Sequence, residues 1–277
     1  MKLVWQVLAV VLACAVGGRG ATAVQDNPWL SLLVGSVTVV LSVLVYRWVV
    51  GRTERRPVTE LAREGASGSL LRGLVVGVAM FGAVIANIYF LGDYKVHGFG
   101  SPTGAIGLVG FMAGAAVTEE LMFRGLLFRL VERGLGTYIA LALSGTMFGA
   151  SHLLNKDATL LGGVAIAIEA GGMLAAAYAA TRSLWLPIGL HFGWNFAESG
   201  IFGTEVSGNG DTHGLLDAST SGAELITGGE FGPEASVYAT LSGALLTVVF
   251  LWLARRRGHI VPRRRAERVD ALATLAR

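Results

Sequence analysis

Three short polar runs interrupt otherwise apolar stretches of this 277-residue chain. In Glu119-Glu120-Leu121-Met122-Phe123-Arg124, Glu120 and Arg124 are four apart. On a helix they share a face, within reach of an ion pair. Glu119 lies about 100° round the same axis, so it has no claim on that cation and is free to exchange protons, as a general base must be. In Phe148-Gly149-Ala150-Ser151-His152, the same spacing sets the imidazole of His152 against the aromatic wall of Phe148. In His191-Phe192-Gly193-Trp194-Asn195, His191 and Asn195 converge on one side. Two donors on one face can stabilise a developing oxyanion. Alternatively, His191 ligates a metal that Asn195 helps to orient, or the two form an ordinary interhelical hydrogen-bonding pair. Glu169 and Glu198 also fall in apolar segments. Glu169 reads as buried and Glu198 as near the outer surface, whereas His97, His213 and His259 read as surface residues.

The elements that carry these runs are membrane helices. The chain is 53% hydrophobic and 15% charged, against about 45–50% and about 25% in soluble domains. That balance excludes an ordinary soluble domain and a disordered chain. The net charge of +3 does not point to nucleic acid, because the basic residues lie between apolar runs instead of on one face. A single cysteine, Cys14, excludes an intrachain disulfide. A membrane-spanning helix needs roughly 20 mostly apolar residues, and about eight segments approach this: 3–16, 29–50, 71–91, 105–128, 138–154, 159–180, 184–202 and 237–254. The fold class predicted is all-α, a polytopic bundle of about eight transmembrane helices. Gly73, Gly77, Gly162 and Gly163 lie on these segments and read as packing residues that let backbones approach closely.

Basic residues mark the cytoplasmic ends of membrane spans. The loop 51–72 carries Arg52, Arg55, Arg56, Arg63 and Arg72. The tail carries Arg255, Arg256, Arg257, Arg263, Arg264, Arg265 and Arg268. Counting spans from either stretch places Arg129 and Arg133 on the same side, and the C-terminus in the cytoplasm. The loop 203–232, with Glu205, Asp211, Asp217, Glu224 and Glu230, then lies outside. Lys2, an apolar run and Ala21-Thr22-Ala23 also resemble a signal peptide, although a retained first helix is the reading favoured. The organisation expected is N-terminal helices over 1–104, a core carrying the three polar runs over 105–203, an extracytoplasmic loop over 204–235, and a last span with a basic tail over 236–277. The cell (inner) membrane is the expected location.

Taken together, Glu-Glu-x-x-x-Arg, Phe-x-x-x-His and His-x-x-x-Asn on successive or nearly successive helices form an ordered pattern. It resembles the CPBP family of intramembrane proteases, which includes type II CAAX prenyl proteases and bacteriocin-processing or immunity proteins. The resemblance runs from about Ala105 to Phe202 and includes Ser183-Leu184-Trp185-Leu186-Pro187-Ile188; Glu169 is not part of it. It implies an intramembrane endopeptidase acting on membrane-associated peptides or lipidated, CAAX-like proteins. In that family Glu119 would activate water together with His152. His191 and Asn195 would serve the oxyanion or a metal, and Glu120, Arg124 and Phe148 would support them.

One carboxylate and two histidines, here Glu119, His152 and His191, would make a zinc set with a position left for water. His-Glu-x-x-His is absent, and a metal-free glutamate–histidine mechanism uses the same residues. Helical rise places Glu119 towards the inner end of its segment and His152 towards the outer end of the next, about 10–15 Å apart along the membrane normal. A proton-coupled transporter with a buried Glu/His relay and a peptide-binding immunity protein that does not cut are the alternatives.

Overall fold

The computed structural model describes residues 2–210 and 213–263. Asp211 of the outer loop and Arg264, Arg265 and Arg268 of the tail lie outside the described residues. The helices are α1 (Lys2–Ala23), α2 (Pro28–Glu54), α3 (Ala66–Phe90), α4 (Pro102–Leu135), α5 (Thr137–His152), α6 (Leu160–Thr181), α7 (Trp185–Asn195), α8 (Glu224–Thr227) and α9 (Val237–Arg256). All eight apolar segments are helical. Six helices are long and apolar enough to cross a membrane: α1, α2, α3, α4, α6 and α9. α5 and α7 are shorter, and α7 continues as a wider turn over Phe196–Ile201. The all-α bundle carries one addition, an antiparallel pair of β1 (Tyr94–Phe99) and β2 (Leu216–Thr220) that ties the loop after α3 to the outer loop.

Local chemistry sets the helix starts. Asn27 caps α2 by accepting from the backbone N–H groups of Trp29 and Leu30, with Pro28 at the first helical position. Ser101 and Pro102 do the same for α4. Inside the bundle, glycine sets the spacing. A Cβ on Gly73 would stand 2.3 Å from the Leu186 carbonyl oxygen, and one on Gly77 2.3 Å from that of Leu190, so α3 lies backbone to backbone against α7.

α4 does not stop at Phe128. It runs on to Leu135, and Gly136, in a left-handed conformation (φ 83°), turns the chain straight into α5. This corrects the depth read from the sequence. Measured from that corner at about 1.5 Å per residue, Glu119 and His152 both stand about 22–24 Å along their helices, at one level.

The arginine-rich end is a connected network. Glu54 accepts from Arg129 at 2.6 and 2.7 Å and from Arg56 at 2.8 Å, and it also pairs with Arg133. Glu60 takes both Arg56 terminal nitrogens and lies 2.8 Å from the Tyr46 hydroxyl. Arg182 pairs with Glu132 at 2.5 Å. Burial pushes the Glu60 carboxyl up, but the bonds from Arg56 and Tyr46 outweigh it and hold the group below the ordinary carboxylate range.

Two outcomes follow for stability. Gly77→Ala should destabilise by about 1–3 kcal/mol through overpacking, seen as a lower melting temperature in detergent, while Gly68→Ala on the same helix, where a Cβ meets only the tip of Arg72 at 3.9 Å, should not. A carboxyl held low in the fold adds stability that is present at neutral pH and lost as pH falls through the ordinary carboxylate range and below. The melting temperature should therefore drop on acidification, and Glu60→Gln should start lower with a flatter acid limb.

Candidate active site

α4, α5, α6 and α7 bring the three motifs together at one level. Glu120 and Arg124 are both fully buried and joined at 2.7 Å. The same Glu120 oxygen lies 3.0 Å from His191 Nδ1. A carboxylate only accepts, so that nitrogen carries the hydrogen. His191 Nε2 faces Glu119 Oε2 at 3.8 Å, longer than a hydrogen bond. His191 is thus gripped by Glu120 and set beside Glu119, a link between the first and third motifs that spacing within either one does not reveal.

Arg124 reaches further. Its NH2 lies 3.0 Å from the Ala170 carbonyl and 3.3 Å from that of Gly171, and its guanidinium sits 4.5 Å over the Phe148 ring. Those carbonyls belong to Ala167–Gly172, where α6 widens into a π-turn. α4 widens likewise over Leu121–Phe128, immediately after the two glutamates. Such turns break the regular i to i−4 ladder, and carbonyls in apolar surroundings need donors.

Phe148 is the aromatic wall that its spacing implied. Its ring centroid lies 4.7 Å from that of His152 and 5.9 Å from that of His191, with Phe123 edge-on at 5.0 Å. His152 Nδ1 is 2.8 Å from the Phe148 carbonyl oxygen. Since a carbonyl only accepts, Nδ1 carries the hydrogen and Nε2 is left free.

A cavity of about 680 Å³ is lined by Glu119, Met122, His152, Asn195 and Ser207 among others, and by the ends of α1 and α4. A second, much smaller cavity adjoins it, lined by His152, His191, Asn195, Ser207, Glu169 and Glu234. His152, Asn195 and Ser207 line both and form the partition between them. Asn195 is 9% exposed, and its side-chain amide makes no hydrogen bond among the described residues.

One carboxylate departs from the sequence reading, one agrees with it and one was missed. Glu198 is not near the surface: it is fully buried, with one oxygen accepting from the Glu234 backbone N–H at 3.2 Å. Glu169 is buried as expected, and neither of its oxygens has a hydrogen-bond partner among the described residues. Glu234 went unread because it lies in a loop without periodicity. The fold tucks it inside beside Glu198, and burial pushes its carboxyl above the ordinary range. As to a metal, no group of three His, Cys, Asp or Glu side chains able to hold an ion occurs among the described residues. Glu119, His152 and His191 do not make such a group in this structure, although each imidazole engages its Nδ1 and keeps its Nε2 open, the arrangement of a metal-binding histidine.

A polytopic helical membrane protein with an internal cavity lined by carboxylate, imidazole and amide groups is the class that this fold and site define. Residues 101–197, the stretch from the cap of α4 to just past Asn195, match the family described as Type II CAAX prenyl endopeptidase Rce1-like. The match supports the CPBP/CAAX protease family read from the motifs and, in general terms, intramembrane CAAX protease activity. No curated protein and no solved structure matches the chain.

Arg124→Ala would leave Glu120 buried without its cation and strip the π-turn carbonyls of their donor. Breaking a buried pair costs about 3–5 kcal/mol, so this variant should express poorly or melt well below the parent. A melting temperature equal to the parent's would show that Glu120 is not held by Arg124.

Proposed function

We propose that the protein is an intramembrane endopeptidase in which Glu119 activates water, and that its substrates are membrane-associated or lipidated peptides. The observation that carries this reading is the division of labour between neighbouring glutamates. Glu120 is committed to Arg124 and His191, while Glu119 borders the large cavity with 26% of its side chain exposed.

In this mechanism a water in the large cavity gives a proton to Glu119 as its oxygen attacks the scissile carbonyl carbon. The Asn195 amide, unused elsewhere, faces the cavity and donates to the oxyanion; a placed donor of this kind is worth about 10²–10³ in rate. The C–N bond then breaks, and the departing nitrogen takes the proton that Glu119 gained. His152, with Nε2 free on the cavity side of its Phe148 anchor, completes the proton path. His191, bonded to Glu120, stands beside Glu119 on the other side. No step of this mechanism is routed through zinc.

Glu119→Gln keeps the shape of the side chain and removes the base, a contribution of about 10²–10⁴. Purified variant and parent should be compared on peptides with and without a lipid group. The variant should melt like the parent and lose cleavage by that factor; unchanged turnover would take Glu119 out of the mechanism. Chelation of the parent should leave the rate unchanged. Loss on chelation that zinc restores would replace this mechanism with a metal-dependent one.

A further inference from the structure

We propose that the active-site cavity opens on the extracytoplasmic face of the membrane, so that the enzyme cuts peptide segments presented from outside the cell instead of cytoplasmic tails. The substrate side rests on the endopeptidase reading above, whereas the direction of the opening stands on geometry alone.

The two ends of the bundle differ in charge. At one end stand Arg47, the five arginines of residues 51–72, Arg129 and Arg133, Arg182, and Arg255 to Arg257. The contacts Glu54–Arg129, Arg182–Glu132 and Arg257–Ala180 hold the ends of α2, α4, α6 and α9 together there. At the other end the described residues include one arginine, Arg19, with Lys95 and Lys156, among Asp26, Asp93, Asp157, Glu205, Asp217, Glu224 and Glu230. Arginine-rich ends of membrane spans face the cytoplasm.

The large cavity opens at the arginine-poor end. Its rim carries Gln25, Asp26, Asn209 and His213, all exposed, with Ser101 at the cap of α4. From there it descends along Gly107, Phe111 and Thr118 to Glu119. Below Glu119 the bundle is filled. Val50, Leu121, Leu126, Phe128, Tyr178 and Leu184 form a continuous buried apolar cluster between the site and the arginine network. Water and substrate thus have an open path from the arginine-poor end, and a packed core stands across the path from the other.

Single-cysteine labelling in sealed right-side-out vesicles tests this. Cys14 is the only cysteine, so Cys14→Ala supplies the background, and the probe is a charged, membrane-impermeant maleimide. Asn209→Cys at the rim and Met122→Cys on the cavity wall should react from outside, with no gain on permeabilisation. Glu64→Cys, exposed in the arginine-rich loop, should react only after permeabilisation. Reaction of Glu64→Cys from outside would invert the orientation and overturn the proposal. So would a Met122→Cys that reacts only once the vesicles are opened, or not at all. Labelling needs no catalysis, so if the endopeptidase reading alone fails, peptides stay uncut while this pattern is unchanged.

Discussion

A buried guanidinium organises this structure. Arg124 has no exposed side-chain surface; it pairs with Glu120 on its own helix α4, touches the ring of Phe148 on α5 and two carbonyls of α6, and through Glu120 is linked to His191 on α7. A charge taken out of water is costly unless paired and hydrogen-bonded. Here the costs answer one another. The cation needs acceptors, the widened turn of α6 has carbonyls without helical partners, and Glu120 needs a cation. Moving any one of these helices breaks a charged or polar contact in apolar surroundings, and that fixes the positions of Phe148 and His191.

The geometry of the site follows from this constraint. Because Arg124 and His191 both occupy Glu120, the adjacent Glu119 is turned, a third of a helical turn away, towards a cavity with water access. Because Phe148 is pinned under Arg124, its carbonyl fixes the tautomer of His152. The widened turns stand where the polar residues are: one follows Glu119 and Glu120, one contains Glu169, and one begins just past Asn195 and contains Glu198. In a membrane protein, irregular backbone is tolerated where protein or a cavity satisfies it, and here both conditions hold at the site.

What the sequence disclosed was whatever depends on spacing along one helix. The Glu120–Arg124 pair, the contact of Phe148 with His152 and the packing role of Gly73 and Gly77 all follow from residues four apart, and all are present. What depends on contacts between helices was not legible. The bond from His191 to Glu120 joins residues 71 apart in sequence. The levelling of Glu119 with His152 needed the true end of α4, which polar Arg129 and Arg133 obscure because their charges are neutralised by Glu54, far away on α2. Glu198 looked superficial because it stands near the end of an apolar run, and only the inward fold of the following loop buries it. The β1–β2 pair escaped notice for the same reason, since each strand is short and its partner lies beyond four helices.

The central claim is that Glu120 and Arg124 act as one unit, and a double-mutant cycle measures that directly. Thermal or denaturant stability would be compared for the parent, Glu120→Gln, Arg124→Met and the double variant. If each side chain exists to satisfy the other, the double variant is destabilised by less than the sum of the single variants, with a coupling of about 0.5–3 kcal/mol. Additive effects, with coupling near zero, would contradict the account, because each residue would then be held by something else.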